Sequence, residues 1–328
     1  MRSGLGLLGL TALVALVWAV LTVQPAPVGR AAGAAAAQSR VYLPMAFQAA
    51  GVEVNPPPPA QTAQPEWLAY LNYYRATAGL PALTENPTWS EGCFNHARYI
   101  VLNRFATHAE DPANPWYTPA GDECGRNGNV VLGGTTAPAD RFAVDSWMQA
   151  PFHALGIVDP LLAQVGYGSY REAGGTLTGA ALDIIRGRSY QLVGTARYPV
   201  KWPTDGAVVA LTHYRGDELP DPLTACPGYS APSGLPVILQ LGPGNVMPRV
   251  SGSYFAANGV PLEHCVFDQT SYTNPNPAFE SLARAVLAAR SAVILIPRAP
   301  LQAGVTYTVA VAANGQTHTW SFAVAGPN

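Results

Sequence analysis

The stretch Leu71-Asn72-Tyr73-Tyr74-Arg75-Ala76-Thr77-Ala78-Gly79-Leu80 is the point from which the rest of the chain is best read. Trp67, Leu68, Leu71, Tyr74 and Ala78 recur at helical spacing from a start near Pro65, and Gly79 and Pro81 end that helix. Asn86-Pro87 then sets an N-cap before a proline at the first helical position. The second helix runs to about Arg104, and Trp89, Cys93, Ala97, Ile100 and Val101 form its buried stripe. A third helix is predicted from about Ala137 to Gln149, carrying Phe142, Val144, Trp147 and Met148, with Pro151 as its stop. Gln164 to Tyr170 and Ala180 to Arg186 read as strands joined through Gly174-Gly175. Helices first and strands later is the pattern of an α+β layered domain.

Composition narrows the function classes. The chain has 328 residues, of which 48% are hydrophobic and 12% charged, with a formal net charge of −2. It is long enough for two domains. No basic stripe is present, which argues against a nucleic-acid partner. Lys201 is the one lysine, a bias read as genomic composition; 31 prolines and 32 glycines imply many turns and stiff loops.

At the N-terminus, Arg2 precedes an apolar run from Leu5 to Val23, followed by small residues such as Ala32-Gly33-Ala34. Residues 1–34 are therefore expected to be an export signal, with an uncleaved membrane anchor as the alternative. Residues 35–63 are rich in Ala, Pro, Gln and Gly, with four consecutive prolines from Pro56 to Pro59, and read as an extended spacer. One apolar island, Val41-Tyr42-Leu43-Pro44-Met45, suits either a docking segment or a short strand lying on a neighbour.

From about Tyr198 the signal changes. Short apolar runs alternate with Gly/Pro punctuation at Val208–Leu211, Val237–Leu241, Val250–Phe255, Val293–Pro297, Thr306–Ala312 and His318–Val324. Asn314-Gly315 between the last two is a hairpin signal. This spacing predicts a β-sandwich over 199–328. The segment Pro297-Arg298-Ala299-Pro300-Leu301 followed by Gly304 to Val309 resembles bacterial immunoglobulin-like modules. Ala278 to Arg290 has helical spacing and is left open between a helix and an excursion connecting strands.

Four cysteines in an exported chain suggest two disulfides among three connectivities. Cys93–Cys124 and Cys226–Cys265 keep each bridge within one segment; buried free thiols are the alternative.

The Asn72-to-Arg75 helix, the Phe105-Ala106-Thr107-His108 loop and the Trp147-Met148-Gln149-Ala150-Pro151-Phe152-His153 run, in this order, resemble a secreted CAP domain (cysteine-rich secretory, antigen 5 and pathogenesis-related; SCP-like) over roughly 64–190. The resemblance implies an α-β-α sandwich over 64–198 with a central cleft. Better-known members carry two histidines and two acidic residues there, able to hold a divalent cation. His108 matches the first histidine. Glu123, within Ala120-Gly121-Asp122-Glu123-Cys124-Gly125, is the best match to an acidic residue, with Asp122 one register away. The second acidic position is Ala150, and the second histidine has no counterpart. His153 matches a bacterial branch whose motif reads Ser-Pro-Gly-His, here Ala150-Pro151-Phe152-His153. His108, Glu123 and His153 together are the candidate zinc ligands. Asn72 and Arg75 match the helix-one motif and are expected to line the cleft wall, Arg75 by bridging carbonyls or a carboxylate. His96 is read as packing.

Three functions follow from these features. The first is a secreted or cell-surface, non-enzymatic protein binding a small ligand, a lipid or a cell-envelope component in the cleft. The second is a metal-dependent hydrolase using His108, Glu123 and His153. The third is a structural surface protein. The sequence has no Gly-x-Ser-x-Gly elbow, no His-Glu-x-x-His helix and no phosphate-binding glycine loop.

Overall fold

The computed structural model describes Met45–Ala46 and residues 65–326. The expected export signal, most of the spacer and residues 41–44 of the apolar island lie outside the described residues. In chain order the first part contains β1 (Met45–Ala46), α1 (Glu66–Ala76), β2 (Thr84–Glu85), α2 (Pro87–Asn103), α3 (Pro119–Arg126), β3 (Gly128–Gly134), α4 (Ala139–Gln149), α5 (Pro151–Ile157), β4 (Gln164–Arg171) and β5 (Leu177–Asp183). The second part contains β6 (Val200–Trp202), β7 (Val208–Val209), β8 (His213–Tyr214), β9 (Glu218–Leu219), β10 (Ser233–Gly234), β11 (Val237–Gln240), β12 (Val250–Ala257), β13 (Val260–Pro261), β14 (His264–Asp268), α6 (Pro277–Ala288), β15 (Ala292–Pro297), β16 (Thr306–Ala313) and β17 (Gln316–Val324).

Local chemistry sets the helix starts. Asn86 accepts from the Trp89 amide at 3.3 Å, Thr118 from Gly121 at 2.9 Å and Asn276 from Ala278 at 2.9 Å, each ahead of a proline whose missing N–H costs the helix nothing. Pro151 does more than stop α4. After Ala150, which is extended at φ −100°, it occupies the first position of α5. That short helix and α3 are elements the sequence pattern did not announce. Nor did the Gly-Asn-Val-Val-Leu-Gly-Gly of β3, which has no apolar/polar alternation because both faces are covered. The Ala278–Arg290 spacing resolves as the helix α6.

The first sheet has the order β2-β4-β5-β3-β1-β9. Successive residues of its strands feed opposite layers. Val130, Leu132 and Ala181 face the cluster built on Cys93, Tyr99 and Ile100 of α2, whereas Val131, Ala180 and Leu182 face Leu71 of α1 and Trp147 of α4. This is a three-layer α-β-α arrangement. Its close contacts require small residues: a side-chain carbon on Gly168 would sit 2.1 Å from the Phe94 backbone nitrogen of α2. Cys93 is bridged to Cys124 and Cys226 to Cys265. The bridges join residues 31 and 39 positions apart, a span for which each contributes about 2–4 kcal/mol.

The second part holds a four-stranded sheet of order β14-β15-β11-β6 and a five-stranded sheet of order β13-β12-β16-β17-β7. Asn314 at φ 51° and Gly315 at φ 78° make the tight turn between β16 and β17, the backbone conformation a two-residue hairpin needs.

The division expected at 198/199 is not a break in packing. The described residues from 65 to 326 fall within one unit, and a single apolar cluster runs from Trp67 to Val324. β9 of the second part joins the first sheet through β1, which is parallel to β3 and antiparallel to β9. Phe152 of α5 meets Phe267 and Tyr272 with ring centroids 6.3 and 5.5 Å away. Gln240 donates to the Val158 carbonyl at 2.7 Å, and Trp202 donates to the Thr77 hydroxyl at 3.1 Å. Among the described residues no helix is long and apolar enough to cross a membrane.

A fragment of residues 64–198 would therefore expose Phe152, His153 and Asp159 to water. It is expected to bind the dye ANS and to unfold without a cooperative thermal transition, while the full chain unfolds cooperatively. A fragment transition as sharp as that of the full chain would contradict the shared core.

Candidate functional site

Several polar groups of the first part are buried, and each of these must be satisfied by the fold itself. Asn72, 8% exposed, receives the Leu83 amide on its side-chain oxygen at 2.8 Å and donates to the Leu83 carbonyl at 3.2 Å. It thereby holds the segment after α1 as a paired strand would. Arg75 is buried and spreads its guanidinium over the carbonyls of Pro81 at 2.9 Å, Ile157 at 2.7 Å, Asp159 at 3.0 Å and Leu162 at 3.4 Å. Burial lowers its pKa to about 10, opposed by Asp159, so the cation persists at neutral pH. Both side chains are turned into the protein rather than into an open cleft.

The three candidate zinc ligands occupy different settings. His108 is half-buried, its Nδ1 2.8 Å from the Gly125 carbonyl at the end of α3. Glu123 lies on α3, its side chain 56% exposed and paired with Arg186 at 2.8 Å. His153 is buried within α5, where its Nδ1 stands 2.7 Å from Glu218 Oε1 and its backbone N–H donates to the same oxygen at 2.9 Å. A zinc site needs imidazole and carboxylate lone pairs converging at about 2 Å on one point. Among the described residues no group of three His, Cys, Asp or Glu side chains is placed to hold a metal ion. The expected His108–Glu123–His153 zinc set is therefore corrected: the resemblance brings His108 and Glu123 to the same helix, but each of the three groups is held by a partner of its own.

Several polar residues escaped the sequence reading. His96, read as packing, is a buried staple whose Nδ1 lies 3.0 Å from Glu110 Oε1 and whose Nε2 lies 2.8 Å from the Thr107 carbonyl. The ring comes so close to α3 that a side-chain carbon on Gly125 would sit 2.3 Å from it. Asp145 on α4 is buried and accepts from the hydroxyls of Tyr70, at 2.5 Å, and Tyr74. Burial, reinforced by the Asp145 charge, raises the Tyr74 pKa well above its ordinary value. Glu218 comes from the second part, and its burial likewise pushes its carboxyl well above the usual range, against the backbone amides of His153 and Phe152. The helical spacing of Tyr70 and Tyr74 is visible in the sequence; their common acceptor 71 or more residues away is not. Asp183 is raised to about 6 by burial, although Arg186 and two backbone amides oppose the shift.

Residues 68–180 match the model of the Cysteine-rich secretory protein family, CAP. The matched region runs from α1 into β5, so it holds Asn72, Arg75, His108, Glu123 and His153 but not Glu218. Among solved structures, the chain resembles the crystal structure of an extracellular protein containing a SCP domain from Bacillus anthracis str. Ames, at 15% identity and a TM-score of 0.27. The likeness covers 35% of this chain and 38% of that one, too small a share to carry an argument. No curated protein matches the chain. The carboxylate that seals His153 thus lies outside the CAP-matched segment.

Two measurements test this account. Glu218→Ala leaves the His153 amide and ring without their acceptor and is expected to cost about 2–4 kcal/mol, read from the urea midpoint, with Glu218→Gln costing less. For Asp183, the folded pKa of about 6 exceeds the ordinary carboxylate value, so the folded state binds the extra proton first. Wild-type stability should therefore rise relative to Asp183→Asn as pH falls from about 7 to about 4, by roughly 2–3 kcal/mol. A flat difference between the two proteins over that window would contradict the burial argument.

Proposed function

We propose that this chain is an exported, non-enzymatic CAP-domain protein that binds a lipid or another cell-envelope component through its CAP segment. The second part acts as an immunoglobulin-like spacer or adhesive module. The family match over 68–180 and the two disulfides, which suit an oxidising compartment, support the class and the location.

The observation that carries the binding reading is the division of labour on α2 and its following loop. His96 and the adjoining Glu110 are buried and bonded, whereas Phe94 and Phe105 remain 43% and 60% exposed. Large aromatic groups held at the surface by a disulfide-anchored helix suit an apolar partner. Phe94 is supported edge-on by Tyr170 at 6.0 Å, which holds it in place. A metal-dependent hydrolase would need a metal on His108, Glu123 and His153, and among the described residues no group of three such side chains is placed to hold one.

The test uses the full chain with vesicles of mixed phospholipid and sterol. Thermal upshift and co-sedimentation are expected, and Phe94→Ser with Phe105→Ser should reduce retention about ten-fold while the unfolding midpoint moves little. No upshift with lipids, sterols or glycans, and no change in retention for the double variant, would leave a purely structural surface protein as the better account.

A further inference from the structure

The inner row of β17 ends on a polar residue. Along that strand His318, Trp320, Phe322 and Val324 share the buried face and the alternate residues do not. Trp320, Phe322 and Val324 belong to the apolar core. His318 comes last, beside the Asn314-Gly315 hairpin, where Ala313 ends β16. Here β6 begins and β11 ends, with Val200 paired to Gln240. The two sheets thus leave a mouth between them, a cavity of about 310 Å³ lined by Tyr198, Pro199, Leu241, Val246, Gln316 and His318 among others.

His318 is 8% exposed. Among the described residues no hydrogen bond is made by its ring, in contrast to His96 and His153, which are stapled to carboxylates. Neither ring nitrogen is sealed from water, so the ring opens onto the mouth and can bond a molecule that enters it. The lining contains no carboxylate. Lys201 on β6 lies close, its Nζ 5.1 Å from the Trp320 ring centre, and the backbone amide of Arg249 donates to Asn314 Oδ1 at 2.8 Å; on the other side of the mouth Tyr198 faces Asp159, Arg188 and Arg290. Tyr198 brings a phenol from the segment before β6. We infer that this mouth is a second binding site, distinct from the CAP segment, for a small carboxylate-bearing molecule of about one ring in size, with His318 as its central contact.

The size follows from the volume, which is at the lower end of the roughly 300–1,000 Å³ found for ligand pockets. Pro199, Leu241 and Val246 offer apolar wall to the body of the ring, and the amide of Gln316 offers hydrogen bonds to hydroxyls. Burial, and after it Lys201, hold the imidazole pKa of His318 below its ordinary value. A carboxylate entering beside it favours the imidazolium, and the site takes up a proton as it fills. Affinity therefore rises as pH falls.

The experiment titrates the isotope-labelled full chain with D-glucuronate and follows the His318 ring nitrogens by NMR. The ring pKa should rise by about one unit on saturation, which corresponds to about ten-fold tighter binding of the protonated form. D-glucose, which lacks the carboxylate, should bind at least about ten-fold more weakly, and Lys201→Met should weaken glucuronate several-fold. His318→Leu should abolish binding while circular dichroism and the thermal midpoint stay near wild type. Ring signals unmoved by glucuronate up to about 10 mM, or glucose bound equally well, would overturn the inference, and both are read on the wild-type protein.

Discussion

A helix of seven residues, Pro151–Ile157, is buried along its whole length, and the rest of the fold depends on how that burial is satisfied. No single layer covers such a helix. Its apolar side chains are enclosed by both parts of the chain, with Phe152 set against Phe267 and Tyr272. Its polar groups are shared in the same way. The His153 amide and ring are held by Glu218, the Ile157 carbonyl by Arg75, and the Val158 carbonyl just beyond by Gln240. Leaving any of these groups unpaired in a dry interior costs about 1–3 kcal/mol, so the two parts are obliged to fold on one another. Asp159 completes the seam by pairing with Arg188 at 2.7 Å and Arg290 at 3.3 Å, the latter from the end of α6.

This arrangement changes what a CAP-like segment can do. Its histidines are the groups with the most chemical potential, and two of them, His96 and His153, are joined to Glu110 and Glu218 out of reach of water. An imidazole buried against a carboxylate is a strong structural tie and a poor ligand for anything arriving later. Glu123, the exposed carboxylate of the expected set, is drawn instead to Arg186, which also lies 4.8 Å from the Trp89 ring centre and pairs with Asp183. Phe94 and Phe105 remain on the surface of this segment, 43% and 60% exposed.

The second part is not a passive extension. It supplies the carboxylate that seals α5, a strand that borders the first sheet through β1, and a mouth between its own sheets where a histidine stands in place of an apolar residue. The first two features fix the seam. The third borders that seam through Tyr198, which faces Asp159.

Much of this protein follows from local pattern. The spacing of Trp67, Leu71 and Tyr74, the Asn86-Pro87 start, the Asn314-Gly315 turn and the apolar runs after Tyr198 specify their elements because each depends on neighbours a few positions away. The cysteine pairs are equally legible, since each bridge stays within one segment. The resemblance centred on Asn72, His108 and His153 also pointed to the CAP match. What only the tertiary structure decided is which distant group answers each buried polar atom. Glu218 lies 65 residues from His153, and Asp145 lies 75 from Tyr70. A histidine's place in a motif says which helix or loop carries it; its role is set by the dielectric and the partner it meets there. In this chain those partners come from across the sheet and from beyond the matched domain, where no local periodicity can reach.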